Sequence, residues 1–166
     1  MPRPGRSTSS RCWDTRRVIA FVSAGAGFLL AVLWFDLMFD VQVMGHHGPV
    51  VAEDPLASIA GYYRRVTTAA RPMNRLVAIV MLATLAAIVA EIVNGDVPGW
   101  VAWTSLAFAL APILLAAVHT VPSAVRLGAR SDSVDCQSSL ARTIFREHVL
   151  CALALAVLLA LQLSSA

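Results

Sequence analysis

Asp36 and Asp40, His119 and His148, and arginines 71, 75, 142 and 146 are the side chains of this sequence best suited to chemistry. The order of its apolar runs sends all of them to one membrane face. Asn74, Glu147 and, from one long connection, His46, His47, Glu53, Asp54, Tyr62 and Tyr63 join them, whereas the opposite face holds only Glu91, Asn94 and Asp96. Asp36 and Asp40, one helical turn apart, have the spacing to hold a divalent cation with His46 or His148, and His119 with His148 has the ligand type for a haem. No compact ligand motif such as His-Glu-x-x-His accompanies them, so no metal or other cofactor is expected. Arginines beside membrane spans also serve as headgroup anchors, which is the plain reading of Arg71, Arg75, Arg142 and Arg146 taken singly.

Four apolar runs must position these groups: residues 18–39, 76–93, 100–119 and 144–163. Each is close to the ~20 residues that a helix needs to cross ~30 Å of hydrocarbon. Hydrophobic residues make up 58% of the 166-residue chain and charged ones 14%, a surplus that a soluble domain of this length buries only with difficulty. The expected fold is an all-α integral membrane domain over residues 13–166, a four-transmembrane-helix bundle with a short interfacial helix in its first connection. The net charge of +3 is carried without a single lysine, and no basic stripe interleaved with aromatics points to nucleic acid.

Small residues at four-residue spacing, Ser23, Gly27 and Ala31 in the first run, Ala83 with Ala87 and Ala86 with Ala90 in the second, and Ala152, Ala156 and Ala160 in the fourth, mark faces that allow close helix approach. Those faces suit packing within the bundle or between copies of the chain. Asn94-Gly95-Asp96-Val97-Pro98-Gly99 reads as a tight turn making a hairpin of the second and third spans. In the first connection, Leu56, Ile59, Ala60 and Tyr63 share one face of a helix over residues 54–68, expected to lie on the membrane surface with Asp54 as cap and Pro55 at its first position. Pro72 opens the second span, Pro112 interrupts the third and Pro122 closes it. Counted from Val149 to Leu163 alone the fourth apolar run is short, so Arg146, Glu147 and His148 are drawn towards the bilayer edge, where ionisable groups need partners.

Residues 1–12, rich in Pro, Gly, Ser and Thr, read as a disordered basic tail. Thr15-Arg16-Arg17 makes a partial twin-arginine pattern, but the following run is long and lacks a small-residue cleavage site, so it reads as a retained span. Loop arginines outnumber those of the tail, which favours an outside N-terminus. The basic tail directly before the first span favours the reverse, and we read both termini as cytoplasmic in the cell membrane. With four spans, Cys12 and Cys136 then lie on opposite sides.

Val121-Pro122-Ser123-Ala124-Val125-Arg126-Leu127, followed by His148-Val149 and an alanine-rich last helix, resembles the anthrone oxygenase-like family of four-span membrane proteins. That family typically has Asn where Ala124 stands and Arg where Leu150 stands. The resemblance implies cofactor-independent oxygenation, or related redox chemistry, on an aromatic lipid-soluble substrate. A neutral histidine would deprotonate a phenol or enol and an arginine would hold the anion. His148 is then the base, Arg146 or Arg142 the anion holder and Asp36 an orienting partner, with Asp40, Arg71, Asn74, Arg75, His119 and Arg126 as binding candidates. The rival reading is a non-catalytic accessory subunit of a larger membrane complex, or a homo-oligomer, in which the polar cluster is an ion-pair network. A small transporter is the third, though no inverted repeat is evident.

Overall fold

Helix α1 (Thr8–Asp40) is by itself long enough to cross a bilayer, and it ends in a 3-10 turn at Val41–Gly45. The computed structural model describes residues 8–46 and 48–165, with side chains from Thr15 onward. His47 and most of the expected tail, residues 1–7, lie outside the described residues; residues 8–12 of that tail are the first turns of α1. After it come α2 (Glu53–Thr68), α3 (Arg71–Asn94), α4 (Gly99–Leu115), a π-helical turn (Ala116–Thr120), α5 (Val121–Ala129) and α6 (Val134–Ser164). Among the described residues, four stretches are long and apolar enough to cross a membrane: Thr15–Gly45, Arg71–Asn94, Gly99–Ala129 and Val134–Ser164. The protein is an all-α, multi-pass membrane bundle.

Local chemistry sets the helix ends. Gly95 takes the left-handed conformation, φ +68°, and its N–H donates to the Glu91 carbonyl at 3.0 Å, which ends α3 as the Asn-Gly pair implied. Pro72 sits in the first turn of α3, where its missing donor costs no bond. Pro112 lies inside α4; the π-helical turn that follows holds Val118, the i−4 position of Pro122, whose carbonyl that proline cannot bond. Pro122, expected to close this span, instead sits in the first turn of α5, and the helix runs on to Ala129. The fourth span also exceeds its apolar run. Ser133 caps α6 by accepting from the Cys136 N–H, and the ten residues before Ile144 are helical because their Gln137, Ser138 and Ala141 face is buried.

Around the bundle, α1 packs on α3 and α6, and α4 packs on the same two helices. Val22, Ala26 and Leu29 of α1 meet Ile88 of α3, Ala109 of α4, and Leu155 and Leu158 of α6 in one core. The small-residue faces expected from the sequence are packed only in part: Ala87 lies against the core and Ser23 Oγ is buried, whereas Ala31, Ala86, Ala156 and Ala160 are exposed and no atom lies near the missing Cβ of Gly27. Close approach occurs at Gly25, against the Thr84 side chain. Trp34, Phe35, Trp103 and Leu153 face outward, as residues facing lipid do.

Helix α2 buries the four residues that the sequence put on one face, Leu56, Ile59, Ala60 and Tyr63. That face rests on protein: it packs on Ala124 and Leu127 of α5 and Ala141 and Ile144 of α6. Ala52, not Asp54, precedes the helix, and Pro55 is its third residue. Gly128 of α5 fixes the fit, since a Cβ there would stand 2.8 Å from the Arg64 backbone nitrogen. Arg142 ties the preceding loop down by donating to the carbonyls of Pro49 (2.6 Å), Gly48 (2.5 Å) and His46 (3.2 Å).

Candidate functional site

Three elements bring the chemistry together. The last turn of α1 supplies Asp36 and Asp40, the middle of α2 supplies Tyr62 and Tyr63, and α6 supplies His148. Asp40 is completely buried, and both its oxygens accept: Oδ1 from the Tyr63 hydroxyl at 2.6 Å and Oδ2 from His148 Nδ1 at 2.6 Å. The Tyr63 hydroxyl also stands 3.4 Å from that Nδ1. One turn back along α1, Asp36 Oδ1 accepts from the Tyr62 hydroxyl at 2.5 Å. Tyr62 stacks on Phe39, with ring centroids 4.1 Å apart, which holds its phenol in place.

These contacts fix the histidine's working nitrogen. With Nδ1 as donor to Asp40, Nε2 is the nitrogen left for a ligand, an arrangement that sets tautomer and ring orientation together. Burial, reinforced by the Asp36 hydrogen bond, pushes the Tyr62 phenol above the ordinary tyrosine range. Burial and the neighbouring Asp40 charge do the same to Tyr63. Both phenols are therefore kept as neutral donors at physiological pH.

Beside this cluster a cavity of about 750 Å³ runs down between the helices. His148, Asp36, Tyr62 and Tyr63 line its polar end, and Leu29, Val77, Met81 and Leu155 are among the apolar residues along it. A volume of this size suits a ligand of drug-like dimensions, with apolar walls for burial and a few polar groups for orientation.

The expected residues divide clearly. Asp36, Asp40 and His148 converge, but the partner that orients His148 is Asp40; Asp36 engages Tyr62 instead. Asn74 lines the cavity while donating to the Val66 carbonyl at 2.8 Å. No arginine lines the cavity among the described residues, Arg142 and Arg146 included. Arg142 is engaged with loop carbonyls, and Arg146, Arg71 and Arg75 point from exposed positions. Arg126 pairs with Asp132 at 3.1 Å, on an exposed surface. His119 does not reach His148: it pairs with Glu147, whose other oxygen accepts from the Thr120 hydroxyl at 2.7 Å. Among the described residues, no group of three or more His, Cys, Asp or Glu side chains is placed to hold a metal ion.

Tyr62 and Tyr63 are the candidate-site residues that the sequence left without a role. Their signal was the i, i+1 pair on an amphipathic helix, one ring on its buried face and one at the edge. Comparison with known proteins returns no matching family model, no matching curated protein and no matching solved structure.

Proposed function

We propose that this protein binds a lipid-soluble, weakly acidic aromatic molecule in its intramembrane cavity and removes a proton from it through His148. The carrying observation is the Asp40–His148 pair at the polar end of an apolar cavity, with Nε2 left for the ligand. Asp40 would hold the ring and stabilise the positive charge that it gains, while the phenols of Tyr62 and Tyr63, their protons engaged by Asp36 and Asp40, would wall the polar end of the cavity.

The resemblance carried by Val121–Leu127 and His148-Val149 extends the reading to cofactor-independent oxygenation. A ring methylene loses its proton to His148, and the carbanion adds to dioxygen to form a C–O bond. The peroxide takes up a proton and then eliminates water, leaving a carbonyl. Two hydrogens leave the carbon, one oxygen atom stays on it and the other departs as water, so dioxygen is the only oxidant.

Anthrone is the direct probe. Reconstituted protein should consume one O₂ per anthraquinone formed, and His148→Ala should abolish the turnover while the protein still inserts and folds. Turnover equal to that of protein-free vesicles would reject the oxygenase. Absence of saturable anthrone binding as well would reject the cavity as a ligand site and favour the accessory subunit, for which a stoichiometric partner retained in mild detergent is the positive sign. The compartment is proposed as the cell membrane with cytoplasmic termini. Cys136, half-buried near the start of α6, should then react with an impermeant maleimide added outside intact cells.

A further inference from the structure

Beyond the floor of the cavity the bundle holds a second polar cluster. Glu91 of α3, Ser105 of α4 and Gln162 of α6 are all fully buried. The Gln162 side-chain nitrogen lies 3.1 Å from Glu91 Oε2 and 3.1 Å from Ser105 Oγ. Each residue follows the cavity wall along its own helix: Ala109 and Leu158, one turn from Ser105 and Gln162, line the cavity, as does Thr84, two turns from Glu91.

Two oxygens in this cluster, Glu91 Oε1 and Gln162 Oε1, are buried with no hydrogen-bond partner. A carboxyl out of water needs a compensating charge or proton, and an amide oxygen out of water needs a donor or a cation. Among the described residues, neither need is met by a basic side chain. Within Gly99–Leu115, α4 has no titratable residue, and α6 has none beyond Cys151. On α1, Arg16 and Arg17 are at this end but exposed. Among the described residues the remaining charged neighbour is Asp96, which accepts from Thr15 at 3.3 Å and Asn94 at 3.4 Å and adds a like charge.

We propose that Glu91, Gln162 and Ser105 form a binding site for one exchangeable monovalent cation, a proton or Na⁺, at the end of the bundle opposite the tyrosine–aspartate–histidine cluster. Carboxylate, amide and hydroxyl oxygens are hard ligands suited to such ions. The amide of Gln162 can turn to offer either its nitrogen or its oxygen, so the same three side chains serve the empty and occupied states. Occupancy cancels the buried charge. The site is independent of the ligand chemistry proposed above and stands or falls separately.

The test uses the full chain in phosphatidylcholine vesicles and N,N′-dicyclohexylcarbodiimide, a lipid-soluble reagent that adds to protonated buried carboxyls, with the adduct located by peptide mass spectrometry. Glu91 should be modified, and the yield should fall by about tenfold or more as rising pH draws the proton from the site. Replacing choline chloride by sodium chloride should lower the yield further where Na⁺ competes; equal yields in the two salts identify the proton as the occupant. The thermal unfolding midpoint supplies a second readout. The difference between wild type and Glu91→Gln should change with pH or sodium, since the amide cannot exchange a charge. A difference that is constant across both variables overturns the proposal, whatever the adduct yield.

Discussion

Asp40 and Glu91 are both carboxyls without exposed surface, yet one has a donor on each oxygen and the other has a single amide between its two. The donors of Asp40 come from different helices, Tyr63 on α2 and His148 on α6, so this acid joins three elements at one point. Glu91 joins α3 to α6 and leaves an oxygen over. The first arrangement is committed: each group is oriented by another and none can change without the rest. The second has capacity to spare, which is what an exchangeable site requires.

Removing each acid should break the comparison open. Asp40→Ala leaves a buried phenol and a buried imidazole without their acceptor, and should cost about 3–5 kcal/mol, as loss of one partner from a buried charged network does. Glu91→Gln keeps shape and one hydrogen bond and should cost about 1 kcal/mol or less near neutral pH. Equilibrium unfolding of both variants in the same detergent decides the matter. Equal losses would mean that the two acids are alike in structural weight.

Gly128→Ala tests whether the committed end depends on how α2 sits. The new methyl would press on the backbone at Tyr63 and Arg64, and overpacking of this kind costs about 1–3 kcal/mol. Because the strained segment carries Tyr63, the variant should also weaken binding of the anthrone probe. The matching change at the other end, Gly25→Ala, meets the Thr84 side chain, and is expected to leave the probe's contacts with Tyr63 and His148 unchanged.

Tyr63→Phe removes one donor from Asp40 and should cost about 1–2 kcal/mol below pH 10. The folded protein holds the Tyr63 proton more tightly than the unfolded chain does, since its phenol is raised by burial and by Asp40. The stabilisation from the tyrosine is therefore whole below the ordinary tyrosine range and declines as pH rises above about 10. The gap between wild type and Tyr63→Phe, followed by chemical unfolding across that range, should narrow upward. A gap that widens would mean that the phenol is ionised in the folded state.

Much of this fold was legible in the sequence because lipid imposes long apolar helices, and the Asn-Gly and Pro signals at residues 94–98 and 72 act locally. Apolarity alone marked the fourth span too short, since the first ten residues of α6 are held by a Ser133 cap and by packing on α2, which no hydropathy run records. The face of α2 was readable from its spacing, but its covering by α5 and α6 depends on Gly128, a contact between distant residues. The candidate site shows the same division. Antiparallel threading brought Asp36, Asp40 and His148 to one end, whereas the choice of Asp40 over Asp36 as the partner of His148 depends on helix rotation. Arg142 and Arg146 resembled site residues because charge near a span needs an explanation, and loop carbonyls and open surface supply one.

The smallest effect expected is also a comparison, between a buried and an exposed ion pair. Arg130 Nη2 approaches Glu53 at 2.8 Å across the α5–α2 junction, with the Glu53 side chain 64% exposed. A pair so open to solvent is worth about 0–1 kcal/mol, so Glu53→Ala should barely move the unfolding midpoint. Arg130 also ends α5 in the left-handed conformation, φ 51°, a backbone state that costs a side-chain-bearing residue about 1 kcal/mol and glycine almost nothing. Arg130→Gly therefore loses the same pair while relieving the backbone, and should be at least as stable as Glu53→Ala. If Arg130→Gly instead loses about 2 kcal/mol or more, the surface pair must do more to hold α2 in place than exposed pairs usually do, and the contrast between open and buried pairs would fail at this junction.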